Sequence, residues 1–336
     1  MNNQNEAGPE ILSVRGLKTW FDVPAGVVRA VDGVSFDVFR GDILAIVGES
    51  GSGKSVMALS LLKLVSVPPG RYVEGEVRLG GRNILELSER ELEEVRGAML
   101  SMLFQSPRSS LDPSFTVWTQ LVETLKRHSP DLGMQDAKGR AFELLGQVGF
   151  DDPERVAESY PHQLSGGMCQ RVALALSMAC EPQLLIADEP TTALDVGVQA
   201  KILLLLKRRN KDTGIPIIII THDFGVVRAI ASRVIVMYAG HIQEEGEAGE
   251  ILENPLHPYT KALIRSVPDA DTPAGKLYQI AGDPPDLVNP PSGCRFAPRC
   301  ESRMERCDAD LPPLHEPSPG RRVRCHLFDS HPEGSA

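Results

Sequence analysis

The tightest constraint on this chain is the stretch Gly48-Glu49-Ser50-Gly51-Ser52-Gly53-Lys54-Ser55, entered from the apolar run 43–47. An apolar helix-like stretch, residues 56–64, follows it. Strand, glycine-rich turn, helix is the order that a phosphate-binding loop requires. The glycines let backbone N–H groups turn inward around phosphate oxygens. Lys54 can reach the β- and γ-phosphates, and the Ser55 hydroxyl can ligand Mg²⁺. Gly48, Ser50, Gly51, Gly53, Lys54 and Ser55 are therefore candidate nucleotide-binding residues. The other reading of the stretch, a flexible turn, does not account for its flanks.

The apolar run Leu184-Leu185-Ile186-Ala187 ends in Asp188-Glu189. Alone, such a strand end is often a solvated edge. Beside a phosphate loop, Asp188 can hold Mg²⁺ and Glu189 can polarise an attacking water. Leu164-Ser165-Gly166-Gly167-Met168-Cys169-Gln170-Arg171 opens an Ala-rich helix, with Ser165 at a plausible N-cap. Its glycines leave backbone N–H groups bare, which makes a second helix start suited to an anion; an ordinary capped helix is the alternative.

Further strands are expected at 217–221 and 234–238, a helix at 199–209, and antiparallel strands within 11–39, interrupted by Pro24, Gly26 and Gly33. Residues 88–179 read as mostly helical, with Leu92, Val95, Met99, Met102 and Leu103 on one face. Strands alternating with helices argue for a parallel sheet covered on both faces. From residue 254 prolines become dense, among them Pro255, Pro258, Pro268, Pro273, Pro284 and Pro285. That texture predicts a loop-rich appendage rather than a continuation of the sheet.

The phosphate loop, LSGGMCQR and LLIADEP, in this order and spacing, resemble the ATPase subunits of ABC transporters. The resemblance implies an α/β fold: a P-loop NTPase with a RecA-like parallel core, an antiparallel β subdomain and a helical subdomain at about 88–179. It also implies a domain boundary, with the ATPase at 1–253 and a C-terminal extension at 254–336. By the same resemblance Gln105 touches Mg²⁺ and the attacking water, and His222 contacts the γ-phosphate. Asp195, in Ala193-Leu194-Asp195, belongs to a loop crossing between two ATPase subunits. Phe21 stacks on adenine, with Trp20 as the alternative and a core role open for either. Ser165, Gly166 and Gly167 of one subunit close over ATP held by the other. ATP and Mg²⁺ are the implied cofactors.

His257-Pro258-Tyr259-Thr260-Lys261-Ala262-Leu263, Ser266-Val267-Pro268 and Gly282-Asp283-Pro284-Pro285 resemble stretches typical of oligopeptide and dipeptide importer ATPases. This implies ATP-driven import of short peptides; import of nickel or another small solute is the alternative, and a soluble non-transport ABC ATPase a more distant one. The implied partners are two transmembrane permease subunits, a second homologous ATPase and, indirectly, an extracytoplasmic solute-binding protein. The implied location is peripheral, on the cytoplasmic face of the cell (inner) membrane. Two positions depart from the family pattern: Cys169 stands where Arg is usual, and Ser106 where Asp often follows the glutamine.

Four of the six cysteines crowd together as Cys294, Cys300, Cys307 and Cys325. Four thiolates can hold zinc or an iron–sulfur cluster. The spacing suits zinc poorly, and unligated or disulfide-bonded cysteines stay open. Related peptide importers carry a [4Fe–4S] cluster in this region, and by that resemblance these four cysteines are its candidate ligands. The formal net charge of −10 argues against nucleic acid as a partner, because phosphate-backbone binding needs clustered Lys and Arg. No apolar run in the sequence reaches the length of about 20 residues that a membrane-spanning helix needs, and the polar start 1–10 lacks a signal region.

Overall fold

A computed structural model describes residues 8–192, 194–267 and 278–329. Ala193, Pro268 and Pro273 lie outside the described residues. The chain divides into two compact units. One comprises residues 1–12, 38–43 and 79–220, the other 13–37, 44–78 and 221–336.

The first unit is built on three parallel strands. Leu100–Leu103 pairs with Leu184–Asp188, and Leu184–Asp188 pairs with Ile217–Thr221. All residues of these strands are buried, which suits interior strands covered on both faces. The strand at 100–103 corrects the helical reading of 88–179. That reading put Met102 and Leu103 on a helix face, whereas the helix Glu89–Val95 ends well before them. Four residues with the sequence Leu-Ser-Met-Leu are too few to carry a periodicity that separates strand from helix. Helices Val117–His128, Met134–Gln147 and Gly166–Met178 pack together, burying Leu121, Leu125, Leu144, Val172 and Leu174.

The second unit holds most of strands Glu10–Val23, Gly26–Phe39 and Gly70–Leu79, in the order 26–39, 10–23, 70–79. Val34, Phe36 and Val38 are wholly buried at alternate positions, so one face of that sheet is core. Gly33 does not interrupt its strand. Leu44–Val47 runs parallel to Arg233–Tyr238. Arg233–Tyr238 turns tightly into His241–Glu247 through Ala239 (φ 48°) and Gly240 (φ 83°), the two left-handed residues that a two-residue hairpin turn requires.

The C-terminal segment continues this sheet, contrary to its reading as a loop-rich appendage. Arg321–Val323 pairs antiparallel with His241–Glu247, and His315–Ser318 pairs with Arg321–Val323. The cause is charge as much as pattern. Glu244 and Glu245 are buried on the inner strand, and Arg321 and Arg322 on the incoming strand bind them.

A buried cluster of Asp32, His241 and Arg295 also ties this unit together. Arg295 binds the Asp32 carboxylate and the Ala239 carbonyl, and His241 lies 3.7 Å from Asp32. Burial, helped by the charges of Arg295 and Arg324 and opposed by Asp32, holds the His241 imidazole down to about 4. Unfolded, a histidine titrates near 6.5. Between those values the folded state binds fewer protons than the unfolded chain, so stability rises with pH across the window and is lost on acidification. Going from pH 7 to pH 5 should cost roughly 2 kcal/mol through this residue. Denaturant titrations of the wild type and His241→Gln at both pH values check this. An equal loss in the two proteins would exclude His241 as its source.

Candidate functional site

The phosphate loop is shaped by what surrounds its glycines. All five residues of Ile43–Val47 are buried, and the helix Lys54–Leu61 begins directly after the loop. A Cβ on Gly48 would lie 2.1 Å from the Met237 carbonyl oxygen, and one on Gly53 2.2 Å from that of Ala30. Gly53 has φ 100° and stands at the helix N-cap without a side chain to occupy the helix start. Side chains are thus excluded at the positions where backbone N–H groups must approach phosphate. Lys54 is buried, and its Nζ donates to the Gly48 carbonyl (2.8 Å), the Glu49 carbonyl (2.9 Å) and Ser52 Oγ (3.3 Å). Ser50, Gly51 and Ser55 are exposed.

Of the two aromatic candidates for adenine, Trp20 is engaged inside the protein. Arg29 and Arg71 lie over its ring at 5.0 and 5.3 Å, and its Nε1 donates to Asp32. Phe21, its neighbour on the strand, is half-buried. His222 is exposed directly after the strand Ile217–Thr221.

In the first unit the structure brings Gln105 and Glu189 together. Met102 pairs with Ile186 and Leu103 with Ala187, a register that, carried two residues further, sets Gln105 against Glu189. Gln105 Nε2 donates to Glu189 Oε2 at 2.7 Å, and Thr192 Oγ1 donates to the same oxygen at 2.9 Å. Glu189 has φ 47°, a conformation costly for a residue with a side chain and concentrated at functional sites. Asp188 is buried at the strand end. In this unit the carboxylates of Asp188 and Glu189 and the Gln105 amide oxygen are hard oxygen donors, the chemistry that suits Mg²⁺.

Ser165 caps the helix Gly166–Met178 by accepting from the Met168 N–H at 3.3 Å, as its sequence position predicts. Ser165 is exposed, and a side chain at Gly166 would meet only open space. The helix start is therefore open at Gly166, while Gly167 lies close to Val198. Gln170, buried on the same helix, donates to the Pro190 carbonyl at 2.7 Å and links it to the Asp188–Glu189 turn. Cys169 is wholly buried, with its thiol 3.5 Å from the Pro161 carbonyl, a place that would not accommodate a solvated arginine. Asp195 caps the helix Val196–Thr213 through the Val198 N–H at 3.0 Å, and Val196 beside it is 83% exposed.

One feature of this unit escaped the sequence. A groove of about 500 Å³ is lined by Met102, Phe104, Asp112, Phe115, Glu123 and Leu176. Phe104 and Phe115 are 40% and 48% exposed. Phe104 adjoins Gln105, so a signal was present, but Phe115 lies in a stretch without periodicity.

Cys294, Cys300, Cys307 and Cys325 line a single cavity in the second unit, and all four are free thiols. Burial raises the thiol pKa of Cys294 and Cys300, and that of Cys325 to about 11, with the neighbouring cysteines adding to each. The N–H groups of Phe296, Ser302 and Leu327 act in the opposite sense on Cys294, Cys300 and Cys325 respectively, each from two residues onward. Among the described residues no group of three or more His, Cys, Asp or Glu side chains is arranged to hold a metal ion. The four thiols are soft donors that share this cavity without standing in a metal-holding arrangement. Among the described residues no helix is long and apolar enough to cross a membrane.

Residues 31–192 match the family described as ABC transporter, and residues 243–307 the one described as oligopeptide/dipeptide transporter, C-terminal region. The dipeptide transport ATP-binding protein DppD of Bacillus subtilis (strain 168) is 45% identical over 324 residues, 96% of this chain and 96% of that protein. The oligopeptide transport ATP-binding protein AppD of the same organism is 44% identical over 319 residues, 95% of this chain and 97% of that protein. A solved ATP-binding cassette, dimeric in a post-hydrolysis state with ADP and Pi, aligns with a TM-score of 0.64 at 29% identity, over 71% of this chain and 99% of that one. Likeness sustained along nearly the whole chain, through the phosphate loop, the LSGG helix and the C-terminal region alike, makes this protein a member of the ABC transporter ATPases, in the branch of dipeptide and oligopeptide transport ATP-binding proteins.

Proposed function

We propose that this chain is the ATP-hydrolysing subunit that drives import of short peptides through a membrane permease. The observation that carries the peptide assignment is the match of residues 243–307 to the oligopeptide/dipeptide transporter C-terminal region. In this reading residues 1–253 form the ATPase domain and 254–336 the extension.

The phosphate loop, through Gly48, Ser50, Gly51, Gly53 and Lys54, holds the nucleotide phosphates, and Phe21 stacks on the adenine. Ser55, Asp188 and Gln105 hold Mg²⁺, which when bound neutralises developing charge on the phosphate oxygens. Glu189 accepts a proton from water as the water oxygen bonds to the γ-phosphorus. The bond from that phosphorus to the bridging oxygen breaks, and ADP and phosphate leave. The Gln105 and Thr192 contacts on one carboxylate oxygen support this role for Glu189, since they fix its orientation. His222 contacts the γ-phosphate.

Ser165, Gly166 and Gly167 close over ATP bound to a second, homologous ATPase subunit, and Asp195 lies in the loop that crosses to it. ATP then bridges two subunits, and its hydrolysis releases them, a two-state element biased by the γ-phosphate. The groove between Phe104 and Phe115 receives one of two permease subunits, for exposed aromatics, one of them next to Gln105 in sequence, offer an apolar seat near a residue on the hydrolytic carboxylate. The protein is then peripheral on the cytoplasmic face of the cell membrane. A solute-binding protein on the other face takes part indirectly.

Co-purification tests this assignment. Tagged protein from detergent-solubilised membranes of its native host should bring down two permease subunits and a second ATPase, with peptide uptake lost when the gene is deleted. Recovery with soluble partners alone, or loss of nickel rather than peptide uptake, would overturn it.

The four cysteines hold a [4Fe–4S] cluster that fastens the C-terminal segment. Protein purified without oxygen should contain iron and sulfide, and Cys300→Ser should lose both and become more sensitive to protease near residue 300. Unchanged iron in that variant would refute the four-cysteine ligand set.

A further inference from the structure

Glu49, the second residue of the phosphate loop, is gripped by the C-terminal segment at both its backbone and its side chain. Its N–H donates to the Tyr259 hydroxyl at 2.8 Å. Its carboxylate receives two bonds from the Arg299 guanidinium, at 2.7 and 3.1 Å. Its carbonyl accepts from Lys54 at 2.9 Å. Arg299 is almost enclosed, with a side chain 5% exposed, and its remaining donors reach the Ala281 carbonyl (3.0 Å) and the Tyr238 hydroxyl (3.1 Å). An exposed ion pair would contribute little, but a bidentate, part-buried one fixes both partners in direction.

This grip is carried by a stiff support. Tyr238, Tyr259 and Phe296 form one aromatic cluster, with ring centroids 4.5 to 5.3 Å apart. Phe296 and Arg299 sit at either end of a short turn that leads into Cys300, and Phe296 also lines the four-cysteine cavity. Two consequences follow for phosphate. The loop recognises phosphate through backbone N–H groups, so its affinity depends on how far their directions are set before binding. A carboxylate in such a loop repels phosphate unless a cation neutralises it, and Arg299 does so.

We propose that Arg299 and Tyr259 are positioning residues for the phosphate loop, so that nucleotide affinity depends on the C-terminal segment. The inference rests on residues 48–55 being the nucleotide loop. The rival is that these contacts only fasten the segment.

The full-length chain is titrated with ATP and with ADP in the presence of Mg²⁺, for the wild type, Arg299→Lys and Tyr259→Phe. The melting temperature of each nucleotide-free protein is recorded alongside. Arg299→Lys keeps the charge and loses the two-pronged geometry, and should weaken both nucleotides about tenfold. Tyr259→Phe keeps the ring and its packing and should weaken them about threefold, by leaving the Glu49 N–H without its acceptor. In the assembled transporter the KM for ATP should rise while kcat at saturating ATP stays within about twofold, the signature of lost uniform binding. Should Arg299→Lys not fold, Tyr259→Phe decides alone. Lowered melting temperatures with wild-type nucleotide affinity would overturn the proposal in favour of simple fastening. Failure of the wild type itself to bind nucleotide would instead remove the loop assignment, and the proposal with it.

Discussion

Glu189→Gln is expected to keep ATP affinity near that of the wild type while turnover falls by a factor of about 10² to 10⁴, the range a positioned general base supplies. The substitution removes only the capacity to take a proton. Glutamine has the same shape, and its amide oxygen can still accept from Gln105 Nε2 and Thr192 Oγ1, which now hold the carboxylate at 2.7 and 2.9 Å. Residue 189 would also keep its left-handed backbone, fixed in part by its N–H bond to the Ile220 carbonyl at 2.9 Å. In the proposed cycle hydrolysis releases the subunit pair, so the variant should accumulate as an ATP-dependent dimer, seen by gel filtration with and without nucleotide. A kcat within about tenfold of the wild type would move the base elsewhere. Lost ATP affinity would mean that the carboxylate supports binding rather than chemistry.

The geometry behind that prediction was only partly legible in the sequence. Asp188 and Glu189 could be read because a buried strand ending in two carboxylates stands out beside a phosphate loop. Their contact with Gln105 could not. It depends on Leu100–Leu103 being a strand in register with Leu184–Asp188, and four residues after a helical stretch carry no decisive period. The C-terminal segment failed for another reason. Arg321-Arg322-Val323 has no hydrophobic alternation, and its strand forms because Glu244 and Glu245 wait on a strand 77 residues away in sequence. The Arg299–Glu49 pair, 250 residues apart, is equally invisible. Local rules read short-range chemistry such as the Ser165 cap well; partners chosen by the tertiary fold leave no local trace.

Glu244→Ala should be the most destabilising single change in the C-terminal half, by about 4 kcal/mol, because it removes one partner of a buried ion pair. Glu244 is wholly buried. One carboxylate oxygen accepts from the Leu256 N–H (2.7 Å) and from Arg321 (3.0 Å), the other from the His257 N–H (2.9 Å). The variant therefore orphans two backbone donors and leaves a guanidinium with a side chain 7% exposed without its buried counter-ion. Arg321 would keep the Asn254 carbonyl and the carboxylate of Glu250, 3.5 Å away on a side chain 52% exposed. Glu244→Gln, which keeps the shape and one acceptor, should lose less. The effect should appear first as local opening: hydrogen exchange should rise across 315–323 and 254–260 before the Ile43–Val47 strand responds, because the orphaned groups all lie along the edge where the C-terminal strands join the sheet. Equal stability of Glu244→Ala and the wild type would show that the Glu244–Arg321 pair does not hold the C-terminal strands. Global unfolding without prior local opening would show instead that the segment is an inseparable part of the nucleotide-binding core, and would strengthen the case that its grip on Glu49 reaches the phosphate loop.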